Sequence, residues 1–534
     1  MEPQSATQSS ANRQIARAAG TVMLAFLLTS IISLARGVIV LRTFGTGMEN
    51  DAFNAANRVS EMLYNLVAGG ALASAFIPTI SGFLAKKDNE GAWRLASSIA
   101  NLVVIIISFL AFLAAIFAPQ VVRYLLAPDW YAFEPEKFLL TVQILRVILP
   151  ATVLFGISGL VMGILNAHQN FLFPALAPSM YSLGIIFGVL FLSPSMGIFG
   201  MAWGVVIGSG LHLLVQLPKL LKLGGKYYTS LGLKNPAVRE VGLLMLPRLA
   251  GVAVVQLNFW VNTNLASGYS EGSVTGLTYG FTLMLMPLMF IAQAIATASL
   301  PTFSEQVALG KHSEMRSSLA SALRAVLLLS IPASVGMILL RIPLIQALYQ
   351  NGDAFTSEST QLVAWALLWY AAGLVGHSVV EIVSRAFYAL HDTRTPVIIG
   401  ICAMTINIIL SILLGKLFLK IGWMPHGGLA LANSIATSLE ALVLIYLMKR
   451  RLKGLQSSKI IAAVWRALLA VSIMGAILSI GLDRWSNAPA LLLLFTGGLT
   501  GVFIYALVIT LLKTEEIFQL FNLFKQKVLV RLIK

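Results

Sequence analysis

The chain has 534 residues, 58% hydrophobic and 11% charged, with a mean hydropathy of +0.85 and a formal net charge of +16. Soluble domains carry roughly a quarter charged residues, so a soluble globule is excluded, and the positive balance is first a topology signal rather than a mark of nucleic-acid binding. The single cysteine, Cys402, lies in an apolar run and excludes a disulfide framework or a cysteine metal site.

The chain opens on a polar stretch, MEPQSATQSSANRQ, without a cleavable signal pattern. A membrane span needs about 20 apolar residues. That criterion predicts fourteen spans: 18–43, 52–84, 96–118, 138–165, 172–192, 197–218, 240–265, 274–300, 320–341, 360–389, 396–415, 426–448, 461–481 and 489–512. The fold class expected is therefore an all-α polytopic membrane protein.

The first two spans carry charge where lipid forbids it. Arg36 has Ser33 and Thr29 behind it at helical spacing on span one. On span two, past the turn at Gly45 and Gly47, Asn54, Arg58, Glu61 and Asn65 share one helix face. Such a stripe must face protein or trapped water, and it predicts the lining of a cavity, with the arginines suited to an anion. Asp51, just before this stripe, is either a gate residue or the acidic start of a helix. On span seven Gln256 and Asn262 share a face, as added donors or as interhelical bonds. Glu381 and Glu440 are intramembrane candidates for ion coupling.

With the N-terminus placed inside, the inside segments hold about 25 Lys and Arg against 7 outside. This asymmetry predicts cytoplasmic termini. An internal repeat is also visible. GALASAFIPTIS (70–81) matches QAIATASLPTFS (293–304) at an offset of 223, and Ala167 and Pro174 answer Ala389 and Pro396 at 222. A duplicated six-span unit has parallel halves, with a substrate path between them. The expected domains are 1–222, 223–453, spans thirteen and fourteen in 454–514, and an amphipathic tail, 515–534, lying on the inner membrane surface. The repeated segments, with Ala75 and Pro78 in one copy and Ala298 and Pro301 in the other, are the candidate inner gate of an alternating-access cycle.

Several segments resemble the MurJ/MviN lipid II flippases: FGTGMENDAFNAANRV with GALASAFIP, ILRVILP with GLVMGILNAHQNFLFPALAP (144–178), SLPTFSEQ through IPLIQALYQNGDAF (299–355), and SRAFYALHDTRTPV (384–397). The resemblance implies two six-helix lobes in a V around a central cavity, plus two extra helices. It implies a bacterial inner-membrane protein of cell wall biogenesis whose cargo is lipid II, the undecaprenyl-diphosphate-linked peptidoglycan precursor. Partners would be that lipid or a similar polyprenyl-diphosphate lipid, membrane lipids and the cell wall synthesis machinery, without nucleic acid. In the resemblance Arg36, Asp51 and Arg58 match functional positions, whereas further family arginines fall on Ser30, Tyr64 and Thr282.

No HExxH, P-loop or Cys/His cluster appears, so no enzyme activity, cofactor or ATP hydrolysis is expected. A monovalent ion or the membrane potential would drive transport. The alternatives are another transporter of the same superfamily (a polyprenyl-linked glycan flippase or a cation-coupled drug exporter), a membrane-embedded enzyme, and a non-transporting scaffold.

Overall fold

The computed structural model describes residue 25 and residues 27–67, 71–350 and 352–512, so the predicted tail at 515–534 lies outside the described residues. Among them every regular element is a helix. That is the expected solution for an apolar chain in lipid, because a helix satisfies its backbone groups internally. Among the described residues eleven helices are long and apolar enough to span a membrane, or twelve if one bent pair is a single span. The described residues of the second and seventh predicted spans are helical but fall outside that count.

The chain divides into two compact units, Met1–Gly272 and Ser273–Lys534. The first contains α1 (Leu27–Phe44), α2 (Met48–Val67), α3 (Ala71–Ala85), α4 (Asn89–Ile116), α5 (Pro135–Ala167), α6 (Leu172–Met196), α7 (Ile198–Leu221) and α8 (Pro236–Ser267). The second contains α9 (Ser273–Ala308), α10 (His312–Tyr349), α11 (Ser357–Ala372), α12 (Leu374–Ala389), α13 (Arg394–Lys420), α14 (His426–Arg451), α15 (Ser457–Arg484) and α16 (Ala490–Leu511).

Packing divides the chain later than the predicted boundary at 222/223. Helix α8 packs on α2, α3 and α4 and so belongs to the first unit. Its Val238 and Val241 complete an apolar core with Phe76 of α3, Leu95 and Ile99 of α4 and Ile164 of α5. Helices α15 and α16, predicted to stand outside the duplication, pack on α10 within the second unit, where the Tyr505 hydroxyl donates to the Leu328 carbonyl (2.7 Å).

The duplication reappears in the helix ends. Ala71–Ala85 and Ala294–Ala308 are both 15-residue helical segments, with Pro78 and Pro301 at the same position in each. Each then turns through a left-handed residue, Lys87 in one copy and Gly310 in the other. The capping bonds Asp88 N–Phe83 O (3.0 Å) and Lys311 N–Gln306 O (2.8 Å) correspond at the same offset. Likewise α5 and α12 close through left-handed Gln169 and His391, with Asn170 bonded to Leu165 and Asp392 to Phe387. Closure by a positive-φ residue satisfies the last carbonyls of a helix.

Predicted span ten is broken, with α11 and α12 meeting at 45°. Its freed carbonyls take hydroxyl donors: Ser334 bonds to Ala371 (2.7 Å) and Ser434 to Trp369 (2.6 Å). A break in a membrane helix is tolerated when side chains satisfy the backbone in this way.

Candidate anion-binding face of the first unit

The polar face predicted on α1 is turned toward α6. Thr29 lies 2.6 Å from the Ser179 hydroxyl and donates to the Ala175 carbonyl (3.2 Å), and one turn on Ser33 lies 3.2 Å from Ser182. The next turn brings the Arg36 guanidinium 5.7 Å over the Tyr181 ring. Helix α6 can present this row because Gly184 and Gly188 let it approach Gly204 and Gly208 of α7, where a Cβ would strike backbone. Arg36 is half-buried, and among the described residues no carboxylate pairs with it. A ring face attracts a cation without neutralising it, so the guanidinium fork remains available to an anion.

Arg58 is placed differently. It donates to Glu61 at 3.0 Å, while Asn57 donates to the other oxygen of the same carboxylate at 2.9 Å. Its guanidinium lies 5.2 Å over Phe259 of α8. Within the stripe Asn54 also bonds back to Asn50 (2.8 Å to its carbonyl). Asn65, at the end of the stripe, is half-buried. On α8, Gln256 is buried and Asn262 donates to Asn258 one turn away in its own helix (3.2 Å). An anion reaching Arg58 must displace Glu61, whereas one reaching Arg36 displaces no carboxylate.

Asp51 stands in the first turn of α2, as the helix-start alternative has it, and it is buried: its Oδ2 accepts from Lys137 Nζ (3.1 Å) and from the backbone N–H of Gly272 (2.8 Å). Lys137 is equally buried, lies 3.3 Å from Glu134 and stands 4.3 Å over the Trp130 ring. Two partners thus compensate the carboxylate, as a buried charge requires. Sequence reasoning misses Lys137, and the signal that could find it is its place two residues after Pro135, inside the first turn of α5.

The candidate gate residues separate by environment. Ala75 is buried in the core of the first unit, so its side chain is committed there, whereas Pro78 is exposed. In the second unit Ala298 and Pro301 are both exposed. Of the ion-coupling candidates, Glu381 pairs with Arg385 one turn away (3.6 Å), and Glu440 faces Gly400 of α13. Among the described residues no group of three or more His, Cys, Asp or Glu is arranged to hold a metal.

A family model described as "Lipid II flippase MurJ" matches residues 40–500. The lipid II flippase MurJ of Burkholderia cenocepacia is 29% identical over 431 residues, 80% of this chain and 82% of that protein. A structure titled lipid II flippase MurJ, inward closed conformation, superposes with a TM-score of 0.78 at 26% identity, covering 92% of this chain and 98% of that one. An inward-facing multidrug resistance MATE transporter of the MOP superfamily shares the fold, with a TM-score of 0.66 at 17% identity, covering 80% of this chain and 96% of that one.

Proposed function

The chain belongs to the lipid II flippase MurJ family, and we propose that it holds the diphosphate of its cargo through Arg36. It is a multi-pass membrane transporter that carries lipid II, the lipid-linked peptidoglycan precursor, from the inner to the outer leaflet. One observation supports Arg36 above the other candidates: it is half-buried on an apolar helix without a carboxylate partner among the described residues. A planar fork of donors matches two phosphate oxygens. Arg58, paired with Glu61, is a second and conditional contact that opens when the anion competes for it.

The chain works by alternating access without ATP and makes no bond in its cargo. The exposed Pro78 and Ala298–Pro301 segments gate the side rich in Lys and Arg. The membrane potential or a monovalent cation drives the cycle, one charge crossing the membrane being worth about 2.3 kcal/mol per 100 mV. Both termini are cytoplasmic, and the enzymes that make and consume the lipid are its neighbours. Reporter fusions after Lys87, Lys226 and Lys453 should all give a cytoplasmic signal.

The deciding experiment is rescue of a bacterial strain depleted of its own lipid II flippase, with transfer of labelled lipid II measured in vesicles carrying the purified chain. Growth and transfer are expected together. A chain that inserts at normal level yet neither rescues growth nor moves the lipid overturns the function.

A further inference from the structure

Between α7 and α8 lies a segment without regular structure, 222–235, and it is built against α4 rather than hanging free. Asn101 of α4 donates to the carbonyls of Tyr228 (3.0 Å) and Ser230 (2.9 Å), and its own oxygen accepts from the Tyr227 hydroxyl (2.5 Å). Ser97 accepts from the Tyr228 N–H (3.1 Å), and Arg94 lies 5.2 Å over the Tyr228 ring. At Gly225 a Cβ would enter the Trp93 ring, and at Gly232, whose φ is +61°, it would meet Ser98. The strap ends where Asn235 caps α8 through the Ala237 N–H (3.0 Å).

Its depth follows from α4. After Arg94 that helix carries no charge to its end at Ile116, so Ser97 to Asn101 mark where it leaves the headgroup zone. Irregular backbone at that level must have its polar groups satisfied by protein, which is what Asn101 and Ser97 do. The exposed side chains of the strap and of the end of α7 are of two kinds, Tyr227 among them showing its ring while Asn101 holds its hydroxyl. Leu221, Tyr227 and Leu233 are 76%, 67% and 68% exposed. Lys222, Lys226 and Lys234 are exposed among them, and no Asp or Glu occurs from 217 to 239. Topology alone requires the lysines; it does not require large apolar side chains interleaved with them on a fixed backbone. An apolar set that dips into acyl chains beside ammonium groups at headgroup level is the pattern of an interfacial lipid contact.

We infer that the 222–235 strap is a binding site for anionic phospholipid headgroups of the leaflet on the Lys/Arg-rich side, with Leu221, Tyr227 and Leu233 seated in the acyl region and the three lysines on the phosphates. The site is separate from the Arg36 face and is stated independently of the cargo; only its assignment to the inner leaflet rests on the orientation proposed above.

The test uses the full chain in vesicles containing phosphatidylglycerol or phosphatidylcholine with a photoreactive headgroup, with crosslinked peptides mapped by mass spectrometry. Phosphatidylglycerol should label 221–234 in preference to phosphatidylcholine. Each basic group at an anionic surface contributes about fivefold, so Lys222→Gln/Lys226→Gln/Lys234→Gln should abolish the preference. The Lys→Arg triple should keep it, and Lys449→Gln/Arg450→Gln on another basic surface should leave it unchanged. The glutamine triple must melt like the parent; if it does not, the comparison passes to the single Lys226→Gln variant, whose preference should fall several-fold. Equal labelling by the two lipids, or a preference that survives the glutamine triple, overturns the site. Loss of labelling to excess soluble glycerol phosphate overturns it as well, because it would mark a small-anion site instead. Labelling by these lipids does not depend on lipid II transfer, so failure of this site and failure of the flippase reading remain distinct results.

Discussion

Lys137 Nζ lies 3.1 Å from Asp51 Oδ2 across 86 residues of chain, both side chains being only 2% exposed. The same Asp51 oxygen accepts from Gly272, the last residue of the first unit. The pair therefore fixes the start of α2, the start of α5 and the segment that follows α8 to one another.

Removing one member of a buried ion pair leaves the other charged and unsolvated, at a cost of roughly 3–5 kcal/mol, whereas replacing both by apolar groups is often neutral. Lys137→Met and Asp51→Leu should each lower the melting temperature of the detergent-solubilised protein markedly, and the double variant should recover most of that loss. A double variant as unstable as the two singles combined would mean that the pair does not act as one unit.

Arg36→Lys keeps the charge and loses the two-pronged geometry, so affinity for lipid II should fall, and it should fall further in Arg36→Ala. Glu61→Gln should act in the opposite direction by freeing Arg58, raising affinity for the anionic lipid headgroup. Equilibrium binding of labelled lipid II, at equal protein level and equal melting temperature, reads both effects. An alanine variant that binds like the parent removes Arg36 from the site.

Gly225→Ala places a methyl group within the Trp93 ring. The strap must lift from α4, losing the Asn101 and Ser97 bonds, each worth about 1 kcal/mol. Tryptic cleavage after Lys226 should accelerate several-fold in this variant, and an added Trp93→Ala should slow it again by making room. Unchanged cleavage in Gly225→Ala would show that the strap is not held at this contact.

Asp392, in the loop between α12 and α13, accepts from the Thr395 backbone (3.1 Å) and hydroxyl (2.9 Å) and from Arg451 (3.1 Å). Burial pushes its carboxyl up, but the Thr395 bonds and the Arg451 charge outweigh burial and hold it below the usual carboxylate range. A carboxyl depressed in the folded state stabilises fully above its unfolded pKa, near 3.9, and that contribution is lost as pH falls through the lower folded value. Melting temperature should therefore drop on acidification below about pH 4, and Asp392→Asn should flatten this limb while lowering stability at neutral pH. An acid limb identical in the two proteins would deny Asp392 this role.

The sequence by itself determined the class of the protein, the face of α1 and the stripe of α2, because lipid leaves a spanning chain one backbone solution and helical spacing then fixes which residues share a face. It also carried the duplication, whose copies close their helices with the same left-handed turns at Lys87 and Gly310 and at Gln169 and His391. Pairing within the stripe was legible for the same reason: Arg58 and Glu61 are three residues apart on one helix. What only the tertiary structure decided are relations between helices distant in sequence. Lys137 became the buried partner of Asp51, Tyr181 the ring beneath Arg36, Asn101 the anchor of the strap, and α8 a member of the first unit. Hydropathy and periodicity report whether a residue faces lipid or protein, and they carry no information on which protein residue it meets. That choice belongs to packing, where close approach at glycine and the need to compensate every buried charge select one arrangement among many of equal hydrophobicity.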